Sequence, residues 1–337
     1  MHLIGKCGYF NNTFNCGVNY AYIVNYFTMK IAIITTCTNR KTKAPKNSLS
    51  GRNLPSGDQE DLLHDWVRKI RNEQETFYAK NLYCGRGFSE ILKIKSNASA
   101  RVWIISFGMG LVYDDMPIPP YQLTLTRTSE DSILNKVSSN FNPSEWWKGI
   151  NQQLHGISDP ISNIINNNKD TIFVISVSQA YLDLIISDLF SLQHQDLSRV
   201  RIVGPPQPIK LPYQYRHLWM PYDDRFDGPE SPNPGTRSDF SQRIARHFIE
   251  NVLIPYPMSS AEEQCKLVDN FMGTMNRAKQ VKRRSLSDNE IANIITINWD
   301  LANGSSTRML RVLRDKEKVA CEQGRFATIF RKIRSER

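Results

Sequence analysis

The run KIAIITTC, Lys30 to Cys37, constrains the fold more than any other stretch. It is apolar and largely β-branched, with no alternation. A strand with one wet face alternates apolar and polar residues; one that does not must be covered on both faces, as in a parallel sheet. The polar, basic stretch TNRKTKAPKNSLSGRNLPSG then reads as a loop. Helical periodicity returns in DQEDLLHDWVRKIRNEQETFYAKNLY, where Leu62, Leu63, Trp66, Val67 and Ile70 share a face and Asp58 is a candidate N-cap. RVWIISF from Arg101, DTIFVISVS from Asp170 and SRVRIVG from Ser198 are three more strands. SEWWKGINQQLHGI and QAYLDLIISDLFSLQ are helices between them. Strands alternating with helices predict an α/β fold: a mainly parallel central sheet with helices on both faces.

At roughly 150 residues per domain, 337 residues give one large domain and a smaller one. Residues 1–28 are rich in Asn, Tyr and Phe and lack the basic, apolar and small-residue regions of a signal peptide. They read as an extension, disordered or foreign to the native protein; the alternative is an edge strand at AYIVNYF. Residues 29–258 form the expected α/β catalytic domain, and 259–337 a helical basic module. After Gly204 the chain turns Pro-rich, and SDFSQRIARHFIENVL reads as a helix capped by Ser238. From Asn276 to Arg337 there are fifteen Lys/Arg and seven Asp/Glu, a balance of +8 out of the chain's +10. Charge concentrated in this way suits a polyanionic partner.

Several chemistries lack their signature. The six cysteines form no CxxC pair, so they read as reduced thiols, and the six histidines show neither HExxH nor HxH spacing; no metal is expected. There is no GxGxxG and no P-loop, so no cofactor is expected. No run approaches the ~18 apolar residues of a bilayer span. The expectation is a soluble, cytoplasmic protein without a membrane partner.

Ligands of open parallel sheets bind beyond the carboxyl ends of the strands. TTCTNRKTK, SFGMGLVYDD and SVSQAY should therefore converge. Gly108 and Gly110 allow a tight turn or close approach. Asp114 and Asp115 are candidate carboxylates for orienting a water or stabilising a cationic sugar, or else turn residues. Asn39 is a candidate hydrogen-bonding group for a base or water, or a turn residue. Ser106 lacks a GxSxG elbow and reads better as a structural hydroxyl; Cys37 reads as a buried thiol. Asp223, Asp224, Arg225, Arg237, Asp239 and Arg243 form either an ion-pair network ordering a long loop or a lid in which Arg225 or Arg237 meets a phosphate. In the basic module, Ile291, Ile294 and Ile295 face inward, Ser305 or Ser306 caps a helix, and Arg308, Arg311 and Arg314 make a basic arc, resembling a helix-turn-helix layout.

TTCTNRKTKAP, NLYCGRGFSEIL and WIISFGMGLVYDDMPIPPYQLTL carry a resemblance. In order and spacing they are similar to a bacterial family of stress-related α/β proteins that includes the peroxide-stress YaaA proteins. Related domains in archaeosine-type tRNA modification enzymes look like the uracil-DNA glycosylase superfamily. The matching positions are Cys37, Lys41, Tyr83, Gly85, Arg86, Phe88, Ser106, Gly110, Leu111, Pro120 and Tyr121, within about a third of the chain. Phe107, Met109 and Gln122 depart from the pattern; Gln122 replaces an acid that Asp114 or Asp115 would have to supply. The chain also looks like antiviral DNA glycosylases that remove modified bases from phage DNA. That resemblance implies a glycosylase fold, DNA (phage DNA with modified bases) as partner, no cofactor, and catalysis by Asp115, Asp114 and Asn39. It implies a base pocket of Cys37, Tyr83, Ser106, Phe107, Gly108, Met109, Tyr121 and Gln179 around a flipped base. Phosphates would meet Arg40, Lys41, Arg86, Arg225, Arg237, Arg283, Arg284, Arg308, Arg311, Arg314 and Arg325. The competing expectations are a DNA-binding stress protein without catalysis and a nucleoside- or nucleotide-processing enzyme.

Overall fold

The computed structural model describes residues 30–204, 211–278 and 282–336. The proposed extension 1–28, with its possible edge strand, lies outside the described residues. The chain divides into two compact units, one ending at Arg277 and one spanning Ala278–Arg337.

The first unit is mixed α/β around a five-stranded sheet. In chain order the strands are β1 (Lys30–Thr36), β2 (Arg101–Ser106), β3 (Gly110–Tyr113), β4 (Thr171–Ser176) and β5 (Val200–Val203). Their spatial order is β3-β2-β1-β4-β5. β1 pairs in parallel with β2 and β4, and β4 with β5. β3 alone is antiparallel, folding back on β2. Ile31 to Thr35 are all buried, as the unbroken apolar run requires.

The helices are α1 (Gln59–Arg71), α2 (Arg86–Ala98), α3 (Pro143–His155), α4 (Pro160–Asn167), α5 (Gln179–Phe190), α6 (Phe240–Phe248) and α7 (Ala261–Gly273). α2 packs on α6, while α3 packs on both α1 and α5. α3 begins where Asn142 caps the Ser144 and Glu145 amides and ends at Gly156, with φ 74°. α6 is entered through Thr236 and Asp239 in a capping box, not through Ser238. The reason is geometric: residues Arg237–Asp239 already form a 3-10 turn, so the cap sits two positions earlier. Gln242 of α6 donates to the hydroxyls of Thr35 and Thr36, tying a late helix to the first strand.

Two boundaries differ from the sequence reading. α7 buries Val268 and Met272 in the large core, so it belongs to the first unit and the division falls at 277, not 258. The sequence reads GLVY as part of a site loop, whereas Gly110–Tyr113 pair with β2 as the strand β3.

The second unit contains α8 (Asp288–Ile297), α9 (Ser306–Arg311) and α10 (Gln323–Ser335) around its own core of Ile291, Ile295, Met309, Leu313, Phe326 and Phe330. Ile294 is only partly buried, and Ser305 caps α9. A short parallel pairing joins Arg284–Ser285 to Val319–Ala320. Among the described residues no helix is long and apolar enough to cross a membrane.

Candidate functional site

From β1 the chain crosses to β2 on one side, and from β4 to β5 on the other. The connections leaving β1 and β4 therefore diverge, which opens a crevice at the carboxyl ends of the two strands. Cys37 follows β1 and Tyr181 lies in the first turn of α5 after β4. Their Sγ and hydroxyl oxygen are 3.2 Å apart, spanning the crevice.

The loop after β1 is stitched to the segment before α2. Thr42 N–H donates to the Leu82 carbonyl and Cys84 N–H to the Arg40 carbonyl. Thr38 donates its hydroxyl to the Arg40 and Cys84 carbonyls. This pairing places Lys41 opposite Tyr83. Lys41 Nζ lies 4.2 Å from the Tyr121 ring centroid and 5.6 Å from that of Tyr83, and donates to the Thr38 carbonyl at 3.4 Å. The side chain is partly buried. Loss of water drives its pKa below the usual lysine value, against the opposing pull of Cys37, Cys84 and Asp131. Asp131 offers it no salt bridge, because Arg52 holds that carboxylate with two guanidinium hydrogen bonds of 3.0 and 2.7 Å.

Behind the amine runs a buried hydroxyl chain. Tyr83 and Tyr121 hydroxyls are 2.9 Å apart, and Tyr121 and Ser106 hydroxyls 2.5 Å apart. Met109 N–H donates to Ser106 Oγ at 3.0 Å. Burial pushes the phenols of Tyr83, Tyr121 and Tyr181 up, so all three stay neutral around neutral pH. Ser106 is thus a fixed structural hydroxyl.

The β2–β3 hairpin sets this arrangement. A Cβ on Gly108 would fall 2.6 Å from the Tyr121 ring, so only glycine admits that ring. Gly110 takes φ 72°, and a Cβ there would meet Asn151 Oδ1 at 2.4 Å. Asn151 Oδ1 instead accepts from Leu111 N–H at 2.7 Å. The indoles of Trp146 and Trp66 donate to the Phe107 and Gly108 carbonyls. Phe107 is fully buried and stacked on Trp146 at 5.1 Å, and Met109 is buried too. These two side chains are hairpin core and do not wall a base pocket, contrary to expectation.

A cleft of about 420 Å³ is lined by residues of the 125–143 segment and of α5. Leu125, Leu134, Phe141 and Pro143 give it apolar surface; Arg127, Asn140 and Asp183 give it polar groups. It shares elements with the lysine's surroundings. Ala180 lines it one residue before Tyr181, and Leu125 and Leu134 flank Asp131 in one loop. Gln179, partly exposed beside it, donates to Asp183 at 2.8 Å.

Asp114 and Asp115 lie elsewhere. β3 runs back along β2, with Trp103 opposite Tyr113, so the acids emerge at the amino edge of the sheet. Asp114 N–H donates to the Val102 carbonyl, and the buried Asp114 carboxylate pairs with Lys95. Asp115 is half exposed and pairs with Lys80, which holds its carboxyl below the usual range. Neither acid reaches the Cys37–Lys41 cluster, because the tight hairpin carries the chain away from it. Asn39 and Arg40 are exposed in the loop after β1, and Arg86 is exposed at the start of α2.

The charged segment after Met220 is a network of internal pairs. Arg225 binds Asp223 at 2.9 Å, and Arg243 binds Asp239 at 2.7 Å and also Asp227. Arg277 binds Asp224, and Arg237 is exposed. In the second unit, Arg308 and Arg311 are exposed on α9. Arg314 instead turns in to the Cys321 carbonyl, so the expected three-arginine arc has two outward members. Arg283 donates to the Arg314 carbonyl, Arg284 to that of Glu317, and Arg325 binds Asp288.

Of the expected site residues, the fold gathers Cys37, Lys41, Tyr83, Ser106, Gly108 and Tyr121. Sequence reasoning missed Tyr181 and the cleft-lining Phe141, Asn140 and Arg127; for Tyr181 the signal was its place on the first turn after a buried strand. Among the described residues no group of three or more His, Cys, Asp or Glu is arranged to hold a metal. Comparison of the chain with protein-family models, with curated proteins and with solved structures finds no match to any of them.

Proposed function

We propose that the chain is a DNA glycosylase, of uracil-DNA glycosylase-like fold, that releases a modified base from phage DNA and so acts in defence. The observation carrying this reading is the gathering of Lys41, Cys37, Tyr181 and the Tyr83–Tyr121–Ser106 chain at the crevice between β1 and β4, in a unit that also holds an aromatic-walled cleft. A cleft of ~420 Å³ is within the size range of small-ligand sites. It has an aromatic wall in Phe141, hydrogen-bonding groups in Asn140 and Asp183, and a cation in Arg127 suited to a backbone phosphate. A base drawn from the stack needs such a wall and such groups. The exposed Arg40 and Arg86 flank the same loop. The basic second unit supplies the sequence-independent affinity for DNA that an enzyme searching a genome needs. The resemblance of Cys37, Lys41, Tyr83, Ser106 and Tyr121 to positions of the stress-related α/β family, whose related domains look like the uracil-DNA glycosylase superfamily, points the same way. Asp114 and Asp115 are assigned here to ion pairs at the far edge, not to catalysis.

The test is mass spectrometry of bases set free when the full chain is incubated with unmodified and hypermodified phage genomes. Release of a modified base, lost in a Phe141→Ala, Asn140→Ala double variant that still binds DNA, is the expected result. No release from any genome, with turnover of free nucleosides instead, would replace this reading with a nucleotide-processing enzyme.

A further inference from the structure

We infer that Lys41 Nζ is the nucleophile at the site: it attacks C1′ of the target nucleotide, holds the sugar as an imine and opens the strand, so the product is a cut strand and not an intact abasic site. This deepens the glycosylase reading and rests on it.

The geometry separates Lys41 from the phosphate-binding cations around it. Arg40 and Arg86 stand in solvent, where a phosphate needs them. Lys41 sits over two tyrosine rings, partly buried, with the carboxylate that bears on it taken by Arg52. Burying an ammonium without a salt bridge is costly, and a neutral amine is what carbonyl and acetal-like carbons react with. The groups facing Lys41 suit that state. Tyr83, Tyr121 and Tyr181 are neutral phenols. Among the described residues its polar contact is the Thr38 carbonyl, an acceptor that leaves the nitrogen lone pair unused. The cleft draws on α5, whose Tyr181 meets Cys37, and on the segment that carries Asp131. Asp131 and Asp183, the nearby acids, are engaged by Arg52 and Gln179.

The step balances without an oxidant or a metal. The Nζ lone pair forms a bond to C1′ while the C1′–base bond breaks, its electron pair leaving with the base, which takes the proton lost by Nζ. The C1′–O4′ bond then opens, O4′ takes a proton from water, and a protonated C1′=Nζ double bond results. Loss of a C2′ proton to water expels the 3′ phosphate with its electron pair. Water finally hydrolyses the imine, returning the free amine.

The full chain is incubated with hypermodified phage DNA, and separately with an oligonucleotide carrying one abasic site, each with and without sodium borohydride. Reduction is expected to leave a covalent protein–DNA species whose adduct maps by peptide mass spectrometry to Lys41. Without reductant the strand is expected to be cut 3′ to the lost base. Lys41→Arg places a guanidinium over Tyr121 and forms no imine; it is expected to lose adduct and cutting at least 100-fold while keeping its circular dichroism and DNA affinity. Mapping on the unaltered chain decides the matter even if that variant does not fold. Base release with an intact abasic strand and no adduct overturns the proposal and leaves the glycosylase reading standing, as does an adduct on another lysine. A Lys41 adduct on the abasic oligonucleotide without base release from any phage genome keeps the amine and removes the glycosylase.

Discussion

Single residues carry the sharpest expectations. Lys41 is held below its ordinary pKa by burial, so the unfolded chain binds a proton more readily than the folded one. Between the folded value and 10.5 the protein gains stability as pH rises; below that window the cost of the buried ammonium is fully present. Lys41→Met is therefore expected to melt higher than the parent at pH 7, with the gap narrowing toward pH 10, while releasing no base. Differential scanning calorimetry across that range checks it, and a lower melting point at pH 7 would refute the burial argument. His247 shows the same sign in acid. Burial lowers it from 6.5 to about 4, against Glu250, and Nδ1 shares a 2.7 Å hydrogen bond with the Tyr222 hydroxyl. Its contribution is complete above pH 6.5 and is lost as pH falls toward 4, by about 3 kcal/mol at ~1.4 kcal/mol per unit. Urea unfolding of His247→Gln at pH 4.5 and 7 should show a flatter dependence than the parent. Lys41 illustrates what one position conceals. In TNRKTK it is indistinguishable from Arg40 or Lys43, because the rings that bury it belong to Tyr83 and Tyr121, supplied by other segments.

At the scale of elements, strands and helices were legible where one periodicity ran unbroken. All four parallel strands stand where the apolar runs put them, and α3 and α5 fill their helical stretches; the stretch from Asp58 to Tyr83 does not run as one helix, since α1 ends at Arg71 and Phe77–Tyr78 pair with Pro117–Ile118. What the residues withheld was the direction of exit from β2. The glycines of SFGMG fit a ligand loop and a tight hairpin equally well, and only pairing with β2 decides between them. The misplaced aspartates follow from that one ambiguity. The hairpin is also where small changes should cost most. Asn151→Ala leaves the buried Leu111 N–H without its acceptor, a loss of about 2 kcal/mol. Gly110→Ala adds a Cβ clash and a left-handed penalty and should cost at least as much. Denaturant midpoints measure both, and base release should fall with them, because Ser106 and the Tyr121 ring rest on this turn. By contrast, Asp115→Asn should leave the denaturant midpoint close to the parent's, as loss of an exposed pair does, and leave base release intact.

For the whole molecule, two separate cores imply two separable roles. A chain ending at Arg277 is expected to retain a cooperative thermal transition. It should lose most of its DNA affinity at 50 mM salt and show a shallower decline of log affinity with log salt than the full chain. Unchanged affinity and slope would place DNA binding on the first unit alone. The basic excess after residue 276 was plain in the sequence, but which arginines point outward was not, since the carbonyls that claim Arg283, Arg284 and Arg314 belong to the folded backbone. The grip of Gln242 on Thr35 and Thr36 has a consequence of its own. A nascent chain that has emerged only as far as Leu125 holds every residue on which the family likeness rests, yet lacks β4 and α6 to cover its first strand. That third is no portable cassette: it waits on the ribosome for some hundred residues more, a long-range closure of the kind that slows folding, and grafting it into another protein would transplant an unfinished sheet.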